Sequence, residues 1–239
     1  MRRELTRILV KQRGIKMNQI QDRRIETKEV KTRIKNVELI DRRRRQIIDA
    51  AIELFAAKGF HNATVREIAE KAGLTMGSLY NYVESKEDIV YMVYDYITKI
   101  LRQEVKNAIA PITDPKERLK IALLQNLHSI YQYQDIVMFI YKASTFLDRE
   151  RLHEVLARET EYIELFEDLI RGYFEDERVN EVRVRLTADL LTYIPVIVTF
   201  RRWSLRRRFD SIETVMKEII NFILYALEFI PEELPFTTA

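Results

Sequence analysis

The side chains of this chain that could do chemistry are few in kind and uneven in place. Cysteine is absent, which removes disulfide frameworks, thiolate metal sites and thiol nucleophiles. The three imidazoles, His61, His128 and His153, stand far apart, with no paired carboxylates at metal-ligand spacing. With no glycine-rich phosphate loop and no GxSxG elbow, no enzymatic reaction, metal ion or cofactor is expected. What remains is ionic chemistry: arginine and lysine, which neutralise phosphates and displace their counterions. Residues 1–45 hold 16 Lys/Arg against 6 Asp/Glu, a balance of +10, while residues 46–90 carry −3 and residues 91–239 carry −4. A basic arm on a neutral-to-acidic body is the footprint of a nucleic-acid binder, although a solvated leader would share it. A second run, Arg201, Arg202, Trp203, Ser204, Leu205, Arg206, Arg207 and Arg208, places five arginines in eight positions. Two readings of it stand: complementing the dipole at a helix C-terminus, or holding the phosphates of a ligand.

These groups need a scaffold, and the composition allows one kind. The chain has 239 residues, 47 % of them hydrophobic and 32 % charged, as in a soluble globular protein. Only five Gly and five Pro are available for turns, which favours long helices and an all-α fold. Ile8, Leu9 and Val10 are too short a run for a signal-peptide core. The longest later apolar run, Leu190 to Phe200, is 11 residues and contains Pro195, short of the roughly 20 that span a bilayer. A cytoplasmic protein without a membrane partner is expected.

From Asp41, the residues Ile47, Ile48, Ala51, Leu54 and Phe55 recur at helical spacing, and Gly59 supplies a stop. Thr64 and Glu67 form a capping box for a second helix over 65–72, ending at Gly73. Thr75 caps a third, very short helix through about Tyr80, after a connection of only Gly73 and Leu74. A supporting helix followed by two short ones across a glycine turn matches a helix-turn-helix, whose last helix fits the major groove of DNA. Any small helical bundle also has tight turns, so the pattern alone favours this reading only modestly.

Further along, Ser85 and Asp88 cap a helix to about Ala108, and Asp114 with Pro115 begins one toward Tyr131. Helical stretches are expected over 134–146, 148–175 and 180–204, with a kink and room beside it at Pro195. Asp210 and Glu213 cap the last helix, where Ile212, Val215, Met216, Ile219, Ile220, Ile223, Leu224 and Leu227 form one apolar side and Phe222, Tyr225 and Ala226 a second. A helix apolar on two sides needs a second surface to cover it. The division expected is a basic arm over 1–40, a helix-turn-helix domain over 41–89 and a larger helical domain over 90–239.

The letters of the first domain narrow this further. Residues Arg44 to Phe60 and Thr64 to Ile89 carry AlaAla-x-x-LeuPhe, IleAla-x-x-AlaGly, LeuTyr and SerLysGlu together. Over about 46 residues the chain resembles the N-terminal domain of the TetR family of transcriptional regulators, with Val83 where that family more often has Phe. The resemblance implies a DNA-binding regulator, most often a repressor. Thr75, Met76, Gly77 and Ser78 would then open the recognition helix and face the groove, with Leu79 turned inward. Tyr80, Asn81 and Tyr82 match positions that contact backbone or base, with one of the two tyrosines expected to pack instead. Lys86 and Thr64 would hold phosphate, and Arg66 would reach guanine, a phosphate or Glu70. Because residues 46–90 are net negative, Arg44 and Arg45, with Arg42, Arg43 and the arm before them, would supply the cations along the phosphates or in the minor groove.

The same resemblance implies a homodimer through the last two helices, reading a palindromic operator on double-stranded DNA. It also implies a pocket in the second domain for a small hydrophobic effector, and some relatives respond to fatty acyl-CoA. Tyr94, Tyr96, Tyr131, Phe139, Tyr141, Phe146, Tyr162, Phe166 and Tyr193 could line it, although helical core packing explains most of them. Tyr96, Tyr131, Phe139, Phe166, Tyr193, Arg201 and Arg202 are the candidate effector residues. The rival reading is a helical dimerisation or interaction protein without sequence-specific DNA binding.

Overall fold

A computed structural model describes residues 37–143, 147–174 and 180–228 of the chain, and among these all regular structure is helical, as expected. Residues 1–36 of the basic arm and Phe146 lie outside the described residues. Helix α1 spans Val37–Asn62, α2 Val65–Lys71 and α3 Met76–Leu79. Next come α4 (Lys86–Ile109), α5 (Pro115–Gln132), α6 (Gln134–Ala143) and α7 (Arg149–Phe174). The remainder is α8 (Glu181–Tyr193), a 3₁₀ turn (Ile194–Val196), α9 (Ile197–Phe200), α10 (Arg202–Arg208) and α11 (Ile212–Glu228).

The caps form where short-range chemistry demands them. The Glu67 amide donates to the Thr64 hydroxyl at 3.2 Å and the Thr64 amide to the Glu67 carboxylate at 2.9 Å, closing the capping box of α2. Ser85 and Asp88 do the same for α4, and Asp114 caps α5 ahead of Pro115. Two glycines are there for their backbone. Gly59 interrupts α1 with φ 76°, and Gly73 turns the chain between α2 and α3 with φ 68°.

Three boundaries differ from expectation. Helix α1 begins at Val37, four residues before Asp41, because Ile40 is also buried and extends the apolar stripe backward. The stretch 180–204 is not one helix: Pro195 lacks the amide that an α-helix needs, so the chain passes through the 3₁₀ turn and breaks again at Arg201. At the last helix Ser211, not Asp210, faces the first turn, its hydroxyl accepting from the Thr214 amide at 3.4 Å.

In the first domain Ile47, Ile48, Ala51, Phe55, Ile68, Leu79 and Val83 close a small core, with Leu79 turned inward as expected. In the body α5 is central, touching α4, α6, α7, α8, α9 and α11. The division drawn at residue 89 falls inside α4, one uninterrupted helix shared by both parts. From Asp88 to Ile97 every residue of α4 is buried, so it is gripped on all sides where it leaves the first domain. No described helix is long and apolar enough to cross a membrane.

Candidate functional site

The exposed edge of the first domain is the short α3. Thr75 caps it, its hydroxyl accepting from the Ser78 amide at 3.1 Å. Thr75, Gly77 and Tyr80 are exposed, Met76, Ser78 and Asn81 partly so, and Leu79 anchors the helix from beneath. A Cβ added at Gly77 would meet nothing within 4 Å, so the free fold does not require a glycine there. The two tyrosines separate cleanly: Tyr80 is 50 % exposed and Tyr82 only 2 %. Tyr82 is the one that packs, and its placement among the groove-facing residues is corrected accordingly.

The positive charges of this domain are mostly spoken for. Lys58 pairs with Glu67, and Lys71 with Glu53 at 2.6 Å, each tying α1 to α2. The Lys58 hydrogen bond, with two more from Thr64, holds the Glu67 carboxyl down at about 2. Arg66 lies against Glu70 at 3.1 Å, one of the alternatives expected for it, and both side chains are open to solvent.

Three residues expected at the phosphates are engaged elsewhere. Lys86 turns back to the Phe60 carbonyl and sits 4.1 Å from the centre of the Phe60 ring, where burial lowers its pKa. Arg44 is buried. Arg45 bonds both oxygens of Asp49, at 2.9 and 3.1 Å, and stacks 4.2 Å over the Tyr96 ring. Lys86 and Arg45 brace α1 against α4 through Phe60 and Tyr96, partners distant in sequence that a charge count does not register. Arg42 stays exposed, and Arg43 donates to Gln46 at 2.9 Å.

The candidate effector residues do not form one cluster. Tyr96 faces Arg45, and Phe139 stacks on Phe55 of α1 with ring centroids 4.6 Å apart, so both serve the junction between the domains. Tyr193 is 59 % exposed beside Tyr141, Arg201 is exposed, and Arg202 pairs with Asp135 at 2.5 Å. Of the arginine run, Arg201, Arg206, Arg207 and Arg208 remain at the surface. Tyr131 is partly buried, and Phe166 is fully buried with Tyr162 edge-on at 5.4 Å. The sequence reading missed Asn126 at the centre of α5. This residue is fully buried, accepts from the Tyr162 hydroxyl at 3.0 Å, and has no hydrogen-bond partner at Nδ2 among the described residues. A lone Asn inside an apolar helical stripe was the available signal.

Two capped short helices across a left-handed glycine, the second exposed and mounted on a supporting helix, define a helix-turn-helix DNA-binding domain joined to a helical body. Family comparison agrees. The profile described as bacterial regulatory proteins of the tetR family matches residues 47–91, and a tetracyclin repressor-like C-terminal domain matches residues 113–203. The transcriptional regulator HbdR of Aromatoleum sp. is 25 % identical over 194 residues, covering 81 % of this chain and 85 % of its own. The fatty acid metabolism regulator protein of Bacillus subtilis is 23 % identical over 150 residues, covering 61 % and 76 %. The crystal structure of AibR in complex with isovaleryl coenzyme A and operator DNA shares the fold, with TM-score 0.60, 19 % identity, and coverage of 75 % of this chain and 97 % of that one. The chain belongs to the TetR family and is a DNA-binding transcriptional regulator.

Proposed function

We propose that this regulator is a repressor that binds a palindromic operator as a two-fold homodimer and is released by a small hydrophobic effector of the fatty acyl-CoA class. The observation that carries the reading is α4. This helix starts at the turn behind the reading helix, is buried on every side from Asp88 to Ile97, and continues into the body, so a change in body packing must move the reader. Thr75, Met76, Gly77, Ser78, Tyr80 and Asn81 face the groove, flanked by Thr64 and Arg66. The ionic component comes mainly from the +10 of residues 1–45, since Lys58, Lys71 and Lys86 are committed inside the domain.

Dimerisation is supported by the apolar surface of the last helices. Leu186, Leu190, Tyr193, Ile197 and Trp203 are exposed on α8 to α10, and Phe222 and Tyr225 are 65 % and 61 % exposed on α11. The effector class is supported by the relatives: one is a fatty acid metabolism regulator, and another was crystallised with an acyl-CoA. Asn126 offers a spare amide donor for a carbonyl inside the body, and the exposed arginines of 201–208 suit a nucleotide phosphate. A thermal-shift series with acyl-CoAs, free fatty acids and cationic drugs tests this. Stabilisation by acyl-CoA together with release of bound DNA is expected; a shift with cationic drugs alone contradicts it.

A further inference from the structure

Helices α4 and α7 are joined by polar rungs at constant spacing. An oxygen of Asp88 pairs with Arg151, the Tyr91 hydroxyl donates to Glu154 at 2.5 Å, and Asp95 pairs with Arg158 at 2.5 Å. Each rung joins residues 63 apart in sequence, so the two helices run side by side in the same direction, with rungs about one turn apart. The Tyr94 hydroxyl, donating to Glu159 at 2.9 Å, and Arg102, paired with Glu161, flank the stripe.

The seam lies where α4 is otherwise wrapped in apolar side chains. Apolar packing is non-directional and tolerates sliding or rotation. A buried carboxylate does not, because losing a guanidinium partner removes charge compensation that it needs away from water. Asp88 and Asp95 are both almost fully buried, and Lys99, one turn along α4, also reaches Asp95 at 2.9 Å; because Lys99 moves with α4, it is Arg151 and Arg158 that tie these carboxylates to one register against α7. The second oxygen of Asp88 accepts from the Glu84 and Ser85 amides at 2.7 and 2.9 Å. That turn follows directly behind the recognition helix. An arginine of the body therefore holds the carboxylate that holds the base of the reader.

We propose that Arg151 and Arg158 are positioning residues for DNA reading: without touching DNA, they fix the register and angle at which α4 presents the recognition helix. The test uses full-length protein and a DNA fragment selected by the wild type, with affinity measured across a salt series. Arg151→Met and the paired variant Asp95→Asn/Arg158→Met should each raise Kd about tenfold. The slope of affinity against salt should stay unchanged, because no phosphate contact is lost. Arg151→Lys should recover most of the loss. The paired variant leaves no buried carboxylate without its guanidinium, and Lys99, which loses Asp95 as a partner, is partly exposed, so this variant decides the matter alone if Arg151→Met does not fold. Affinity within twofold of wild type for the folded variants overturns the proposal, as does a slope reduced by about one.

Discussion

The ring of Phe139 in α6 lies flat on that of Phe55 in α1, with centroids 4.6 Å apart and planes 11° from parallel. Beside the contact of Arg45 with Tyr96 of α4, this one fixes the helix-turn-helix domain on the body through α6. Replacing Phe139 by Ala should therefore cost about 2–3 kcal/mol of stability, in the lower range for aromatic truncation because the ring is only partly buried. Denaturant unfolding measures this, and effector affinity should stay unchanged.

Gly77 and Gly73 should respond oppositely to alanine. Gly77 is helical with open space around it, so Gly77→Ala should leave stability unchanged or raise it by up to about 1 kcal/mol. The same change should weaken DNA binding by placing a methyl group where the backbone approaches the groove. Gly73 has φ 68°, so Gly73→Ala should destabilise by about 1 kcal/mol or more. Thermal melts beside filter-binding measurements separate the two effects.

The carboxyl of Glu67 gives a pH signature. Its pKa is depressed to about 2, first by the Lys58 hydrogen bond, so its contribution is present above the ordinary glutamate range and is lost as pH falls toward 2. Between about pH 4.5 and pH 2 the wild type should lose more Tm than Glu67→Gln, which has no such carboxylate to protonate. Parallel Tm profiles over that range would contradict this.

The exposed faces of Phe222 and Tyr225 should be covered in solution. Phe222→Glu places a charge on that surface and should shift the protein from dimer to the 28.6 kDa monomer in light scattering, with helicity retained. An unchanged mass would move the interface elsewhere.

The sequence was most legible where the chemistry is local. Thr64 with Glu67, Ser85 with Asp88, Asp114 with Pro115, and Gly59, Gly73 and Pro195 each act within three or four residues, so their letters state their roles. The partners of Phe139 and Tyr96 are not legible in the sequence, because helical spacing shows that an aromatic is inward but not which helix it meets. The burial of Arg44 and the contacts of Arg45 and Lys86 are not legible either, because charge alone does not reveal whether a cation turns toward its own fold. The seam between α4 and α7 did leave a trace: Asp88, Tyr91 and Asp95 share their spacing with Arg151, Glu154 and Arg158, complementary partners 63 residues on. Matching charge patterns between helices, beyond apolar patterns within each, would have exposed it.

Selection of genomic DNA fragments by the full-length protein at physiological salt, followed by footprinting of the retained ones, shows whether the protein reads a two-fold site. A two-fold symmetric protected site holding two chains is expected, with half-sites that lose affinity when Thr75, Ser78 or Tyr80 is replaced by Ala. Retention without sequence preference, or a site indifferent to all three substitutions, would contradict it.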